Sequence, residues 1–528
     1  MPPTILARLP YAAAGFGGPL MSAWADDFDR VRPYIRRDPR SDADIRSVLD
    51  AIDAQAYPRA ELASVLNAEC ARHGAPEAAH ANAAKLIEPR TYAVITGQQA
   101  GLFGGPLFTV LKALSAVRWA RDLENRFGPS RRFVPVFWVA SDDHDLGEVD
   151  HTYFLSASGE VERLRVEVPA AQRNLAAGDV RVAEQIERLR EVLTGLAPGA
   201  ADGLIDPYRT RSLGGACARL LSFWLGALGL VVTESTALRP LGRGLFKRAC
   251  TEFETSHRLV RAAGASLAAA GFEPGIAPES MGDPAPFLFE HRQGKRVKLT
   301  AEDARSPDVR ARLEAHPEHF SAAAALRPVL QQALFPVAAA VLGPGEMAYW
   351  AQLPELHAQF GAVWPLLVPR ASATLLDAVA TKTVKRLEIP AADALLPWAE
   401  LQAKHVTGGP LGARLDERSK RVLAELEGIH ADVREVDRGL EPLFEKARQR
   451  ISSELERVAA KVKANLAERD GARLTRLKYL SACAKPLGRP QERTLCAAQF
   501  TGFDPSLAGE LLEALEPLSF EHLLMGRE

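Results

Sequence analysis

One segment, residues 92–119, constrains the fold more than any other part of the chain. It reads YAVITGQQAGLFGGPLFTVLKALSAVRW. The apolar run at residues 92–95, partly β-branched, predicts a strand, and the four glycines within residues 97–105 predict a loop whose backbone turns tightly. Pro106 suits the first position of a helix, and apolar residues then recur every three or four positions. The segment therefore predicts a strand, a glycine-rich loop and a helix.

The glycine-rich loop is a candidate site for a carboxylate or a phosphate. At such a loop the free backbone N–H groups and the positive end of the helix dipole favour an anion. Gln98 and Gln99 add neighbouring amide donors and acceptors, for which a purely geometric loop has little use. We therefore expect Gly97, Gln98, Gln99 and Gly101 to bind an anion or substrate, with a ligand-free glycine-rich connection as the alternative.

A second strand is predicted at residues 133–140, because FVPVFWVA is apolar throughout, as a strand buried on both faces is. The helix between the two strands makes a βαβ unit, which closes right-handed around a parallel sheet. The second strand runs directly into an acidic cluster, residues 142–145, that contains His144. Because ligands bind beyond the carboxyl ends of the strands in open α/β sheets, we expect Gln98 and His144 at the same sheet edge.

This acidic cluster is the strongest catalytic candidate in the sequence. An imidazole flanked by carboxylates, as His144 is by Asp143 and Asp145, can be held in one tautomer and used as a general base or acid. Two alternatives remain open: a solvated acidic turn, and a metal site that also includes His151. Nothing in the spacing fixes a ligand geometry, so we expect no metal at these residues.

Glu346, Tyr349 and Trp350 form a second candidate group. Acidic and aromatic side chains converge here, where a predicted strand at residues 336–342 passes into a helix. As a site residue, Glu346 would bind an amine or a hydroxyl. The alternative makes Glu346 a first-turn carboxylate favoured by the helix dipole, and makes the two aromatic residues part of the core.

A third candidate group, Arg370, Ser372 and Thr374, follows another predicted strand at residues 366–369. We expect these side chains to bind an anion, with a helix cap by Ser372 or Thr374 as the alternative. Lys112, on the first predicted helix, is interpreted as a surface charge.

Length and composition describe a globular protein of several domains. The 528 residues can bury a large core, and 65 basic against 66 acidic residues give no broad basic face for a nucleic acid. The five cysteines are odd in number and lack a Cys-x-x-Cys pair, so we expect no disulfide, no structural zinc and a cytoplasmic location. We find no signal peptide and no apolar stretch long enough to cross a bilayer.

We expect residues 1–380 to form the α/β core, with insertions at about residues 155–215 and 240–330. Residues 381–488 are expected to form a helical arm, because apolar residues step by four and three, as in a coiled-coil seam, on both sides of a short Gly/Pro turn. The first half of this seam consists of Val422, Leu426, Ile429, Val433 and Val436. Residues 489–528 are expected to form a helical tail that packs back.

Three stretches carry a resemblance to a known family. They are ITGQQAGLFGGPLFTVLKA at 95–113, VFWVASDDHDLGEVDH at 136–151, and GPGEMAYWAQL at 343–353 with VPRASATL at 368–375. In these motifs the chain resembles the BshC family, the cysteine-adding enzymes of bacillithiol biosynthesis. The resemblance covers nearly the whole chain, including Gln491–Arg493 in the tail. Asp142 departs from the pattern, in which a glutamate is expected in many relatives, but it keeps the carboxylate.

The resemblance implies a Rossmann-like parallel-sheet core, similar to class I nucleotidylyltransferases and aminoacyl-tRNA synthetases. Connecting insertions and a long antiparallel coiled-coil arm, which forms a homodimer, would complete the fold. The implied activity is a ligase that joins L-cysteine to the amine of glucosaminyl-malate, giving bacillithiol. The substrate-binding loop from Thr96 to Gly105 would replace the synthetase HIGH signature, and Arg370–Thr374 would stand near the other signature. Neither signature has its usual form, so ATP or ADP stays an open cofactor and none is assigned.

Amide formation needs an activated cysteine carboxyl and a neutral amine. The hypothesis is that the loop amides and Gln98 hold an anion, either malate or a phosphate. His144, oriented by Asp143 or Asp145, would take the proton from the glucosamine amine. Glu346 would orient that amine or the sugar hydroxyls. Two rival hypotheses are another nucleotidyl- or aminoacyl-transferase-like enzyme acting on a small amine, and a non-enzymatic coiled-coil assembly module.

Overall fold

The computed structural model describes residues 3–11, 17–292, 294–406, 410–469, 471–502 and 506–527. Within these ranges the strands, in chain order, are β1 (Thr4–Pro10), β2 (Thr91–Gln99), β3 (Arg132–Ala140), β4 (His151–Leu155), β5 (Val161–Arg165), β6 (Val231–Glu234), β7 (Leu288–Arg292), β8 (Lys295–Lys298), β9 (Phe320–Ala322), β10 (Val337–Leu342), β11 (Leu366–Pro369), β12 (Ser372–Leu376) and β13 (Glu521–Gly526).

The α-helices of the same ranges are α1 (Pro19–Asp26), α2 (Phe28–Ile35), α3 (Asp42–Asp53), α4 (Arg59–Arg72), α5 (Glu77–Lys85), α6 (Leu107–Phe127), α7 (Ala183–Glu187), α8 (Arg190–Leu196), α9 (Ala201–Thr210), α10 (Leu213–Leu225), α11 (Ser235–Leu238), α12 (Arg243–Thr251), α13 (Phe253–Ala269), α14 (Ala301–Arg305), α15 (Pro307–Ala315), α16 (Arg327–Leu334), α17 (Pro344–Trp350), α18 (Pro354–Gln359), α19 (Ala378–Arg386), α20 (Trp398–His405), α21 (Pro410–Val436), α22 (Glu441–Arg469), α23 (Gly471–Ala484), α24 (Gln491–Thr494) and α25 (Leu507–Ala514). None of these helices has the length and apolar content needed to span a membrane.

The core is a five-stranded parallel sheet in the order β11-β10-β2-β3-β6. Apolar side chains bury both faces of its inner strands: Val136 and Trp138 of β3 enter one hydrophobic cluster, and Phe137 and Val139 enter another. β2, α6 and β3 form the predicted βαβ unit. The predicted α/β class with a parallel-sheet core is therefore confirmed.

β2 is longer than predicted. The expected strand covers residues 92–95, whereas β2 continues to Gln99, because β3 pairs with it in register to that residue. Gly97 permits this pairing, since a Cβ at Gly97 would lie 2.6 Å from the carbonyl oxygen of Trp138. Gln98 and Gln99 therefore belong to the end of a strand and not to a loop.

The tail also differs from its prediction. It contains α24 and α25, but its last described segment is β13, which lies between β1 and β12 in a separate three-stranded sheet. β13 runs antiparallel to β1 and parallel to β12. Its apolar run at residues 523–525 is too short for periodicity to distinguish a buried strand from a buried helix.

Two stretches between core strands carry additional structure. The β4–β5 hairpin and α7–α10 lie between β3 and β6, and a small sheet in the order β8-β7-β9 lies between β6 and β10. In the arm, α21 and α22 pack as an antiparallel pair, in which His430 stacks on Phe444 with ring centroids 4.9 Å apart. The predicted seam is divided, because Leu426 and Val433 are partly buried whereas Val422, Ile429 and Val436 remain exposed.

Glu492 joins the tail to the strands beside the parallel sheet. Its carboxylate is buried and accepts hydrogen bonds from the guanidinium of Arg370, the hydroxyl of Ser372 (2.9 Å) and the N–H of Ala373 (3.0 Å). Burial opposes ionisation, but Arg370 outweighs it and holds the pKa of Glu492 below its ordinary value. The tail is thus held by a buried ion pair.

Glu492→Ala should lower the free energy of unfolding by about 3–5 kcal/mol, because Arg370 would remain buried without its partner. Urea unfolding followed by circular dichroism measures this loss. Glu516→Ala is the matched control. It removes a carboxylate that is exposed and pairs with Arg8 at 2.8 Å, and we expect it to cost at most about 1 kcal/mol. Equal losses in the two variants would contradict the assignment.

Candidate active site

A cleft with two lobes lies at the carboxyl edge of the parallel sheet. The first lobe has a volume of about 550 Å³ and is lined by the ends of β2 and β10, by α6 and by the start of α17. The second lobe has a volume of about 750 Å³ and lies between the acidic cluster and the small sheet. Gln99, Asp143, Glu148 and Arg327 line both lobes. Each lobe has the size of a small-molecule site.

The predicted placement of Gln98 and His144 on one sheet edge is confirmed. β2 and β3 end side by side, with Gln98 opposite Val139. Gln98 lines the first lobe and His144 lines the second. Gln99 connects the two lobes, because its Nε2 donates hydrogen bonds to Asp143, at 2.8 Å, and to Glu148.

The expected anion cradle of loop N–H groups is wrong. Gly104 donates its N–H to the carbonyl of Gly101 at 3.1 Å, and Leu107, the first residue of α6, donates to Leu495 of the tail at 2.9 Å. Gly101 serves packing, since a Cβ there would lie 2.6 Å from the Cα of Gly105. Because these amides are already engaged, the loop also does not fit as the phosphate cradle of ATP or ADP.

Lys112 is not the surface charge that the sequence suggested. It is 1% exposed, and its ammonium group donates hydrogen bonds to the carbonyl of Gly97 and to Oε1 of Gln98 (3.1 Å) and pairs with Glu346. Burial lowers the pKa of Lys112, and the Glu346 carboxylate opposes that effect. Thr96 lies beside this group and bonds the carbonyl of Val341 at 2.9 Å, which ties β2 to β10.

Glu346 is a first-turn carboxylate, as one of its two interpretations has it, and it also lines the first lobe. Its Oε2 accepts the N–H of Gly343 at 2.8 Å, which caps α17 as a first-turn carboxylate does, and the same carboxylate pairs with Lys112 in the cleft. Tyr349 and Trp350 line the first lobe. The hydroxyl of Tyr349 accepts hydrogen bonds from Arg327 at 2.9 Å and from Trp350 at 3.2 Å.

The first lobe is rich in cations, namely Lys112, Arg327, Arg370 and Arg493. Lys112 and Arg370 have carboxylate partners. Among the described residues, no carboxylate lies within ion-pair distance of Arg327 or of Arg493, which is exposed. Two guanidinium groups therefore face the lobe with charge left for a ligand.

Ser372 and Thr374 do not reach the cleft, which corrects the anion-binding prediction for these two residues. Both lie in β12, so the alternative of a helix cap is also wrong. The Ser372 hydroxyl bonds Glu492 and His522 at 2.9 and 2.8 Å, and the Thr374 hydroxyl bonds His522 at 3.0 Å. Burial lowers the pKa of His522 to about 4.

His144 in the second lobe is exposed and lies close to two charged groups. Its Nδ1 is 3.9 Å from Oδ1 of Asp143 and 3.4 Å from Nη1 of Arg296. Burial acts to raise the pKa of Asp143, but hydrogen bonds from Gln99 and from the Asp145 N–H hold it below its ordinary value. The group that approaches the imidazole most closely is thus Arg296, which the sequence did not indicate.

Among the described residues, His151 does not join Asp143, His144 and Asp145 in a group that could hold a metal ion. Nδ1 of His151 bonds Asp150 at 3.0 Å, and Asp150 also bonds Arg165 at 2.9 Å. Asp142, the departure from the family pattern, pairs with Arg239. His151 and Asp142 are therefore engaged outside the His144 group.

Sequence reasoning missed Lys112, Arg296 and Arg327. Lys112 carried a usable signal, because it is a lone lysine in a helix whose neighbouring residues are buried on all sides. Arg296 and Arg327 carried none, since they enter from segments that precede β10 and lie outside the three motifs that carry the resemblance.

The fold and the cleft define a Rossmann-like α/β protein with a cleft of small-molecule size and a coiled-coil arm. Two family descriptions match the chain: Bacillithiol biosynthesis BshC, N-terminal Rossmann-like domain, over residues 7–371, and Bacillithiol biosynthesis BshC, C-terminal coiled-coil domain, over residues 373–526.

Three relatives share the name "Putative cysteine ligase BshC". The protein of Salinibacter ruber is 30% identical over 98% of both chains. Those of Geobacillus thermodenitrificans and Koribacter versatilis are 30% and 31% identical, over 87% and 85% of this chain and 88% and 86% of their own. The chain therefore belongs to the BshC family of bacillithiol biosynthesis, and the expected ligase class is confirmed at the level of the family.

The Lys112–Glu346 pair predicts a coupled stability effect. Lys112→Met should destabilise the protein because it leaves Glu346 without its cation. With Glu346→Gln added, the loss should be smaller than the sum of the two single losses by about 0.5–3 kcal/mol, since the double variant leaves no unpaired charge. Urea unfolding of both single variants and the double variant measures this coupling.

Lys85→Met is the matched control for the lysine change. In the described part of the chain, the ammonium group of Lys85 bonds the Asn82 side chain at 2.9 Å in an exposed position, so the change should stay within about 0.5 kcal/mol. Strictly additive effects of Lys112→Met and Glu346→Gln would show that the two side chains do not interact.

Proposed function

We propose that this chain joins L-cysteine to the amine of glucosaminyl-malate and so forms bacillithiol. The observation that carries the proposal is the pair of guanidinium groups, Arg327 and Arg493, that face the first lobe without a carboxylate partner in the described structure. Two cations suit a ligand with two carboxylates, which the malate half of this substrate has. Membership of the bacillithiol biosynthesis family supports the same substrate.

The second lobe suits the reacting groups. With malate in the first lobe, the sugar extends past Gln99 and Asp143, and its amine reaches His144. The amine nitrogen then attacks the activated carboxyl carbon of cysteine. As the C–N bond forms, the bond from that carbon to the activating group breaks, the activating group leaves with the bonding electrons, and His144 accepts the proton that the nitrogen loses. Activation of the carboxyl needs a co-reactant, for which ATP is the candidate, and no step here depends on where a nucleotide binds.

Arg296 determines the starting tautomer of His144. A hydrogen bond from Arg296 to Nδ1 leaves the ring proton on Nε2, a form in which Nε2 cannot accept a proton. Asp143 lies 3.9 Å from the same Nδ1 and holds its carboxylate ionised. When substrate draws Arg296 away, the Nδ1–H tautomer bonded to Asp143 frees Nε2 to act as the base.

The reaction can be assayed with purified protein, L-cysteine, glucosaminyl-malate and ATP, with the product followed by mass spectrometry. His144→Ala should lower kcat by about 10²–10⁴-fold, the usual contribution of a general base. Arg327→Met should raise KM for glucosaminyl-malate more than it lowers kcat, because Arg327 contributes binding and not proton transfer.

His316→Ala is the control for the histidine change, because the His316 ring is exposed, bonds Glu318 at 3.1 Å and lines neither lobe. A wild-type rate in His144→Ala would reject the general-base role. Product from other amines but not from glucosaminyl-malate would favour a different transferase. Turnover without release of AMP or ADP would remove nucleotide activation.

We also infer that the arm forms a homodimer. Apolar side chains stay exposed along both of its helices, namely Val422, Ile429 and Val436 on α21 and Leu443, Ile451 and Val458 on α22. Steps of seven and eight residues place them along one side of each helix, as at a coiled-coil interface. A second copy of the chain offers the same stripe and would bury both.

The dimer prediction is tested by light scattering after size exclusion. Ile429→Glu with Ile451→Glu should convert a dimer to a monomer, because two charges would enter the apolar interface. Ser453→Glu is the control, since Ser453 is exposed on α22, the helix of Ile451, and lies outside the apolar stripe. A wild-type protein that is monomeric at micromolar concentration would contradict the inference.

A cytoplasmic location is the last part of the proposal. All five cysteines are buried and free. Unpaired thiols are typical of a reducing compartment, which supports the cytoplasm as the site of action.

A further inference from the structure

A buried cluster of two carboxylates and an imidazole lies behind the cleft. Glu69 and His73 are one helical turn apart at the end of α4, and Glu234 is the last residue of β6. None of the three is more than 4% exposed, and none lines either lobe. Nε2 of His73 lies 3.3 Å from Oε2 of Glu69 and 3.6 Å from Oε1 of Glu234.

Two buried polar atoms of this cluster have no hydrogen-bond partner among the described residues. Within the described ranges, neither Oε1 of Glu234 nor Nδ1 of His73 has a hydrogen-bond partner. The nearest cation is Arg72, whose Nη1 lies 3.3 Å from Glu69 and 3.4 Å from Glu234. One guanidinium therefore faces two buried carboxylates, and a further cation at this position would balance them.

Two of the ligand-to-ligand distances in this cluster match those of a small coordination shell. Their candidate ligand atoms all lie within 4.8 Å of one another. Zinc bonds to nitrogen and oxygen are about 2.0–2.2 Å long, so neighbouring ligands of a tetrahedral site are about 3.3–3.6 Å apart. The two distances from His73 fall in that range. One imidazole with two carboxylates is also a ligand set that suits Zn²⁺ or Mn²⁺ better than Mg²⁺.

We propose that Glu69, His73 and Glu234 bind one divalent transition-metal ion, for which Zn²⁺ is the best match. The guanidinium of Arg72 stands at the cation position in the structure and is half-exposed, so it can move outward into water when the metal enters. The fourth ligand position is then open on the side that Arg72 covers.

The surroundings hold the ligands in place. Oε2 of Glu69 accepts the backbone N–H of Glu234 at 2.9 Å, which fixes one carboxylate against the other. The Glu234 side chain lies against the start of α10, where a Cβ at Gly214 would come within 2.6 Å of its Oε2. Such supporting contacts orient the ligands of metal sites.

A metal at this position would be structural. The residue after Glu234 is Ser235, whose hydroxyl accepts the N–H of Asp142 at 3.0 Å. Fixing the end of β6 would therefore fix the start of the acidic cluster that includes His144. The reaction itself does not need this site, so its test is independent of the proposed function.

The test begins with the full-length wild-type protein, treated with EDTA, loaded with Zn²⁺ and desalted. Metal content by mass spectrometry should be one zinc per chain, and Zn²⁺ should raise Tm whereas Mg²⁺ should not. Co²⁺ in place of zinc should give the intense visible absorption of a tetrahedral site. Wild-type protein that retains no zinc would overturn the proposal without any variant.

Variants locate the site. Glu234→Gln and His73→Gln should each weaken zinc binding by at least about 100-fold, the upper end of what an outer-shell change costs. Arg72→Met should tighten it, because the competing cation is gone. If the cluster is only an ion pair held by Arg72, Arg72→Met will be destabilised and Zn²⁺ will not restore its Tm.

His316→Ala controls for zinc on the exposed His316–Glu318 pair. Loss of zinc in that variant alone would also refute the proposal.

Discussion

The cleft depends on one buried ammonium group. Lys112 belongs to α6, yet its Nζ contacts the end of β2 through Gly97 and Gln98 and the start of α17 through Glu346. A buried ammonium is tolerated only when its three N–H groups find acceptors, and here a carbonyl, an amide and a carboxylate supply them. The same contact that makes the charge tolerable therefore fixes the relative positions of three elements that form the first lobe.

Much of the fold could be predicted from the sequence, because strands buried on both faces and long amphipathic helices have patterns that depend on local residues alone. The βαβ unit and the antiparallel arm are of this kind. The end of β2 was not predicted, because glycine is typical of loops. In the structure, pairing with β3 continues through Gly97. The strand β13 was missed because its apolar run fits either a helix or a strand.

The candidate site was predictable only in part, for a related reason. The order of the strands brings Gln98 and the acidic cluster together, and topology rules give that without side-chain detail. What a side chain bonds is decided by residues far away in the sequence. Ser372 and Thr374 look like anion ligands until His522, about 150 residues later, is seen to occupy their hydroxyls. Arg296 and Arg327 likewise enter the cleft from the segment between β6 and β10.

The position of β13 has a consequence for how the protein is made. It is the last strand along the described chain, yet it lies between β1, near the other end, and β12. The parallel sheet can assemble on the ribosome as soon as β11 has emerged, whereas β1 must wait for β13, which follows every strand of that sheet in the chain. While the parallel sheet forms, β1 thus lacks the neighbour that later covers its edge, a state in which strands are prone to wrong association.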